Sequence, residues 1–171
     1  IQADATEHPL DGFDAIHASP PCQAFTNAQV LHGREHPDLL TPTRALLEQT
    51  GLPYVIENLW VNRSHLVNPV RYCGSSFGLD VQRHRAFESN VPLLAPPCDH
   101  AWQTPRFPPA TNRTNLRRTV EIGVWRIPLD VQQKAMGIDW MALTELSEAI
   151  PPAYTEFIGT QLLTHLSADR T

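Results

Sequence analysis

The sequence predicts an α/β fold, and three observations predict it. Two short apolar runs, at 13–18 and 53–58, each stop at polar or proline-bearing residues, as buried strands do. A capped helical pattern lies between them, and strand, helix, strand at this spacing suggests a right-handed βαβ unit. The chain is also large enough for one core, with 171 residues of which 42% are hydrophobic and 18% charged. No apolar run approaches the roughly 20 residues of a membrane helix.

Taken in order, Phe13-Asp14-Ala15-Ile16-His17-Ala18 reads as a buried strand closed by the loop Ser19-Pro20-Pro21. Thr41-Pro42-Thr43 reads as the cap of a helix over Arg44–Gln49 that ends at Gly51. Pro53-Tyr54-Val55-Ile56-Glu57-Asn58 is the second buried strand, and its end carries a carboxylate and an amide. Arg85-Ala86-Phe87-Glu88 is a further strand candidate. Between 91 and 128 the pattern dissolves: seven of the 16 prolines fall there, with four arginines from 106 to 118. So much proline predicts an irregular insert rather than sheet. Helix returns at Leu129–Met136, stopped by Gly137, and a last helix runs from Pro152 to Leu166. Open α/β sheets place their chemistry at the carboxyl ends of strands, where Cys22 and Glu57 both fall.

The net charge of −5 conceals an asymmetry. Residues 1–60 carry −6, residues 61–126 carry +5 and residues 127–171 carry −4. Twelve of the 13 basic residues are arginine, the side chain suited to bidentate contact with phosphates and guanine edges. The middle third is therefore a candidate nucleic-acid face, with a merely solvated arginine-rich surface as the alternative.

Three widely spaced cysteines without a CxxC pair argue against a disulfide framework and for a reducing compartment. Cys98-x-His100 could supply two zinc ligands, with Cys73 or His84 completing a site. The spacing follows no zinc-finger pattern, so the expectation is four separate core and surface residues and no metal. Trp102, Trp125 and Trp140 could stack on bases, but a core role is expected of each. His17 and His36 call for nothing beyond packing or solvent.

Alone, a cysteine such as Cys22 reads as a packed, inert thiol, and Glu57-Asn58 as a turn cap. Together with two further motifs they resemble the DNA cytosine-5 methyltransferases. FDAIHASPPCQAFT resembles that family's Pro-Cys-Gln nucleophile loop, and PYVIENLW its Glu-Asn motif. VQRHRAF resembles its paired-arginine motif and AIPPAYTEFIG its carboxyl-terminal motif, all in family order over residues 13–159. Gln2-Ala3-Asp4-Ala5 resembles the motif at the third strand of the sheet. Two departures stand out: Val81 precedes the first arginine where glutamine is usual, and Ser147-Glu148-Ala149 replaces an asparagine-bearing stretch.

The resemblance implies an incomplete Rossmann-like S-adenosylmethionine-dependent methyltransferase fold, lacking its first βα units, with a small irregular target-recognition insert. It implies a partial catalytic domain over 1–88, a recognition segment over 89–128 and a helical return over 129–171. Cys22 would be the nucleophile and Glu57 the carboxylate that holds the base. Arg83 and Arg85 would complete the catalytic set, one at the base or its phosphate and one bracing. Asp4, Ala5 and Pro21 would meet the cofactor, with Asp4 facing the adenine amine. Gln23, Thr26, Asn58, Arg106, Arg113, Arg117 and Arg118 would contact double-stranded DNA, Asn58 also bracing the Glu57 loop. The target cytosine would be flipped out of the duplex.

None of the eight glycines is separated from another by a single residue, so the glycine-rich turn of the donor site has no candidate. With Ile as first residue, about 50 residues of the family's amino-terminal part are expected to be absent. The implied origins are a truncation, a disordered start or a complementary chain. The fragment alone could then be inactive, and a non-catalytic DNA-binding remnant or regulatory subunit is the alternative function. The family type implied is bacterial or phage, in a cytoplasmic setting and with no membrane; restriction–modification, phage self-protection and regulation all stay open as roles.

Overall fold

The structure, a computed structural model, describes residues 2–25, 36–101, 103–104 and 117–168, with the backbone alone for residues 104, 117 and 118. It is a mixed α/β protein. Strands β1 (Ile16–Ala18), β2 (Tyr54–Leu59), β3 (Val70–Tyr72) and β4 (Arg85–Ser89) form one sheet in the order β1-β2-β4-β3. Helix α1 (Leu40–Thr50) connects β1 to β2, which pair in parallel with Ile16 opposite Tyr54 and Ala18 opposite Ile56. The predicted βα-β order is thus present, while the β2–β4 pair is antiparallel and makes the sheet mixed. Two-residue strands β5 (Gln103–Thr104) and β6 (Arg117–Arg118) pair in parallel by themselves. Helices α2 (Leu129–Met136), α3 (Leu143–Glu148) and α4 (Pro152–Ala168) follow. Among the described residues no helix is long and apolar enough to cross a membrane.

The chain divides into two compact units. One holds residues 1–71, 85–94 and 161–171, the other 72–84 and 95–160. The sequence division at 88 and 128 is not this one: residues 72–84 leave the first part, and most of the helical return groups with the insert. The reason is that the chain passes between the units four times, which no composition shift marks.

In the first unit, Leu40 and Leu47 lie two turns apart on α1 and pack with Tyr54, Ile56, Leu66 and Ala86. β2 is buried from Tyr54 to Asn58 on both faces, which explains its nearly unbroken apolar run. The cap of α1 differs from the expected Thr41-Pro42-Thr43. Asp38 accepts hydrogen bonds from the Leu40 and Thr41 amides at 2.8 and 3.2 Å, so the helix starts three to four residues early. Gly51 ends it in the left-handed region at φ 67°.

In the second unit, Val81, Ala135, Met136, Ile138 and Leu146 form the apolar core. Tyr72, Phe77, Tyr154 and Phe157 make a separate aromatic cluster with ring centroids 5.0 to 5.9 Å apart. The buried Gln132 of α2 accepts from the Gly123 amide and donates to the Val124 and Ile127 carbonyls, fixing the loop before its own helix. The tryptophans correct the sequence reading. Trp125 and Trp140 are 86% and 68% exposed, not core; both lie in the short connections that flank α2 rather than on a packed element. Trp102 lies outside the described residues.

Candidate active site

The parallel pairing of β1 and β2 puts both strand ends on one edge of the first unit. Ala18 and Ile56 are in register, so Ser19-Pro20-Pro21-Cys22 and Glu57-Asn58 leave the sheet side by side. Cys22 is a half-buried free thiol that opens a 3-10 turn over Gln23–Phe25, closed by the Phe25 amide donating to the Cys22 carbonyl at 3.1 Å. Phe25 then stacks on His65 with centroids 4.2 Å apart, which holds the far side of the turn.

Asn58 links the two strand ends. Its Nδ2 donates to the Pro20 carbonyl at 3.1 Å, while Oδ1 accepts from the Leu59 amide at 2.9 Å and from Asn62 Nδ2 at 2.8 Å. At 2% exposure with three partners, Asn58 is a strut for the cysteine loop. Of the two roles expected of Asn58, its burial and these bonds suit the bracing one. Bracing falls on Pro20 as well as on the Glu57 strand end.

Glu57 points to the opposite face, as alternation along a strand requires. There it pairs diagonally across the β2–β4 ladder with Arg85, whose Nε lies 2.9 Å from Oε1. Both side chains are 11% exposed, so the charge is held largely out of water by a cationic partner. Arg83 has other partners. In the second unit its Nε and Nη2 donate to the Ala149 and Ser147 carbonyls, both at 2.7 Å, and its backbone is left-handed at φ 36°. Tyr154 Oη donates to the Arg83 carbonyl at 3.1 Å. Of the paired arginines, Arg85 meets the carboxylate, while Arg83 bonds two backbone carbonyls.

Asp4, Ala5 and Pro21, expected at the cofactor, line one cleft of about 900 Å³ together with His17, Phe13 and Leu46. Asp4 Oδ1 accepts from the Thr6 amide and hydroxyl at 2.9 and 2.6 Å, and these bonds hold its carboxyl below the usual range. Gln23 is exposed beside Cys22. Thr26, Arg106 and Arg113 lie outside the described residues, and of Arg117 and Arg118 only the backbone of β6 is described.

Sequence reasoning weighed one constellation and set it aside. Cys73, His84, Cys98 and His100, expected to be separate, all belong to the second unit and bring their ligand atoms within 4.8 Å of one another. Burial pushes the Cys73 thiol up. Their spacing followed no known pattern; in the structure Gly74, whose added Cβ would meet the Val81 carbonyl at 2.1 Å, lets the backbone beside Cys73 approach that at 81. Comparison with family models, with curated proteins and with solved structures returns no match for this chain, so its site is read from its residues and their geometry.

Proposed function

We propose that the chain is the catalytic portion of a DNA cytosine-5 methyltransferase built on a Rossmann-like sheet, acting on flipped-out cytosine in double-stranded DNA. One observation carries the reading: Asn58 Nδ2 bonds the Pro20 carbonyl at 3.1 Å, tying the loop of Cys22 to the strand end of Glu57. A nucleophile and a carboxylate joined in this way suit a base that must be attacked at one edge and held at another.

Cytosine C5 is too weak a nucleophile to take a methyl group unaided. The Cys22 thiolate adds to C6, forming a C–S bond and pushing the ring electrons toward C5. Glu57 holds N3 and the exocyclic amine and so steadies the charge that spreads over the ring, while Arg85 fixes the carboxylate in place. S-adenosylmethionine, when bound, supplies the electrophilic methyl. Loss of the C5 proton to a base then lets the C6–S bond break, and Cys22 returns as thiolate. Asp4, Ala5 and Pro21 fit the adenine end of that cofactor: the cleft volume is that of a small-molecule site, its lining is mostly apolar, and a carboxylate among its residues suits the adenine amine.

Replacing hydrogen by fluorine at C5 blocks the last step and traps the C–S bond. The full chain is incubated with S-adenosylmethionine and random-sequence duplex DNA whose cytosines are 5-fluorocytosine. The expected result is a denaturation-resistant protein–DNA adduct that Cys22→Ser abolishes. An adduct that survives Cys22→Ser, or duplex binding without any adduct, overturns the reading; the second outcome is that of a DNA-binding remnant.

A further inference from the structure

We propose that Cys73, His84, Cys98 and His100 bind one zinc ion, which clasps the start of the 95–104 segment to the 72–84 backbone. The donor set is two sulfurs and two imidazole nitrogens, the chemistry of a closed tetrahedral structural site. His100 Nε2 lies 3.2 Å from Cys73 Sγ and 3.1 Å from Cys98 Sγ, and His84 Nε2 lies 3.3 Å from Cys98 Sγ. Metal–ligand lengths of about 2.3 Å to sulfur and 2.05 Å to nitrogen give tetrahedral S···N edges of about 3.5 Å. The three edges are already near that value.

Hydrogen bonding alone accounts poorly for this packing. An imidazole Nε2 carries one lone pair or one proton in the ring plane, so His100 Nε2 cannot satisfy two sulfurs at once. An ion among the four serves all of them. Ser75 Oγ donates to Cys73 Sγ at 3.1 Å, an outer contact that suits a thiolate. Half of the site is also set by the backbone: the Gly74 amide donates to the Gln82 carbonyl at 2.7 Å, bringing Cys73 and His84 onto adjoining stretches. Cys98 and His100 then come from a segment without helix or long strand, which two metal bonds would anchor. Binding displaces one proton from each thiol and changes no oxidation state. The inference stands apart from the role of Cys22.

Multi-element mass spectrometry of the full untagged chain, prepared without chelator and desalted after exposure to zinc, tests it. The expected result is about one zinc per chain, retained in Cys22→Ser and lost in Cys98→Ser and His100→Ala. Cobalt exchanged into the unmutated chain should give the intense visible bands of a tetrahedral site and a sulfur-to-cobalt charge-transfer band, a readout that requires no variant to fold. Far less than one zinc in the unmutated chain, zinc retained by both ligand variants, or a weak octahedral cobalt spectrum each overturns the proposal.

Discussion

Glu57 and Asn58 are adjacent in sequence and differ in every physical respect that matters. The strand turns one to Arg85 and the other to Pro20, so the same dipeptide presents a held charge on one face and a structural strut on the other. Their substitutions should separate accordingly. Glu57→Gln keeps shape but removes the charge that holds the base and pairs with Arg85, so methyl transfer should fall about 10²–10⁴-fold and thermal unfolding should also move down. Asn58→Ala should instead lower stability by about 2 kcal/mol, because three buried groups lose their partner. Equal stability losses with no activity difference would show that Glu57 is structural too. The resemblance could rank both residues as functional; only the alternation of side chains tells which one meets Arg85 and which one meets Pro20, since both are buried.

At the scale of elements, α1 is joined to β4 by an ion pair that the sequence does not advertise. Arg44 Nε and Nη2 bond Glu88 Oε1 and Oε2 at 2.6 and 2.8 Å, and Glu88, with a side chain only 2% exposed, also accepts from the Val67 amide. Arg44→Met leaves that carboxylate buried without its cation, and denaturant unfolding should show a loss of about 3–5 kcal/mol. A loss below about 1 kcal/mol would mean that the pair behaves as a surface one. The start of the same helix has a pH dependence. Hydrogen bonds, chiefly from the Thr41 hydroxyl, lower the Asp38 pKa below its ordinary 3.8, so its stabilisation is present above that value and fades as pH falls through the lower folded one. Asp38→Ala should cost about 1 kcal/mol at neutral pH, and its unfolding curve should converge on that of the unmutated chain under acid. A gap independent of pH would exclude the carboxylate cap. The sequence showed β1, β2 and β4 as short apolar runs, and α1, α2 and α4 as helical stretches, the first two stopped by glycine. It hid β3 and α3, which are too short to establish a period, and it hid Asp38, which lies outside the first turn that Thr41-Pro42-Thr43 appeared to mark.

For the molecule as a whole, charge is arranged along the chain rather than summed. A total of −5 would repel a polyanion, yet residues 61–126 carry +5, and every basic residue there is arginine. Part of that charge has partners within the chain: Arg85 holds Glu57 and Arg83 holds two carbonyls, while the exposed Arg63 and Arg71 lie over the Trp60 ring at 5.2 and 5.3 Å. The duplex contacts of the proposed function are Arg106, Arg113, Arg117 and Arg118, with Arg126 and the exposed Trp125 a short distance along the chain. Binding that depends on these arginines must release counterions, with a log–log salt slope of about −0.9 for each phosphate neutralised. Fluorescence anisotropy with a random duplex, taken at rising salt, should therefore give a clearly negative slope. Changing Arg117 and Arg118 together to alanine should make that slope less steep by about 2, while leaving unfolding within about 0.5 kcal/mol. A slope unchanged by the double substitution would move the DNA contact away from these arginines, and binding indifferent to salt would remove the duplex from the proposal altogether.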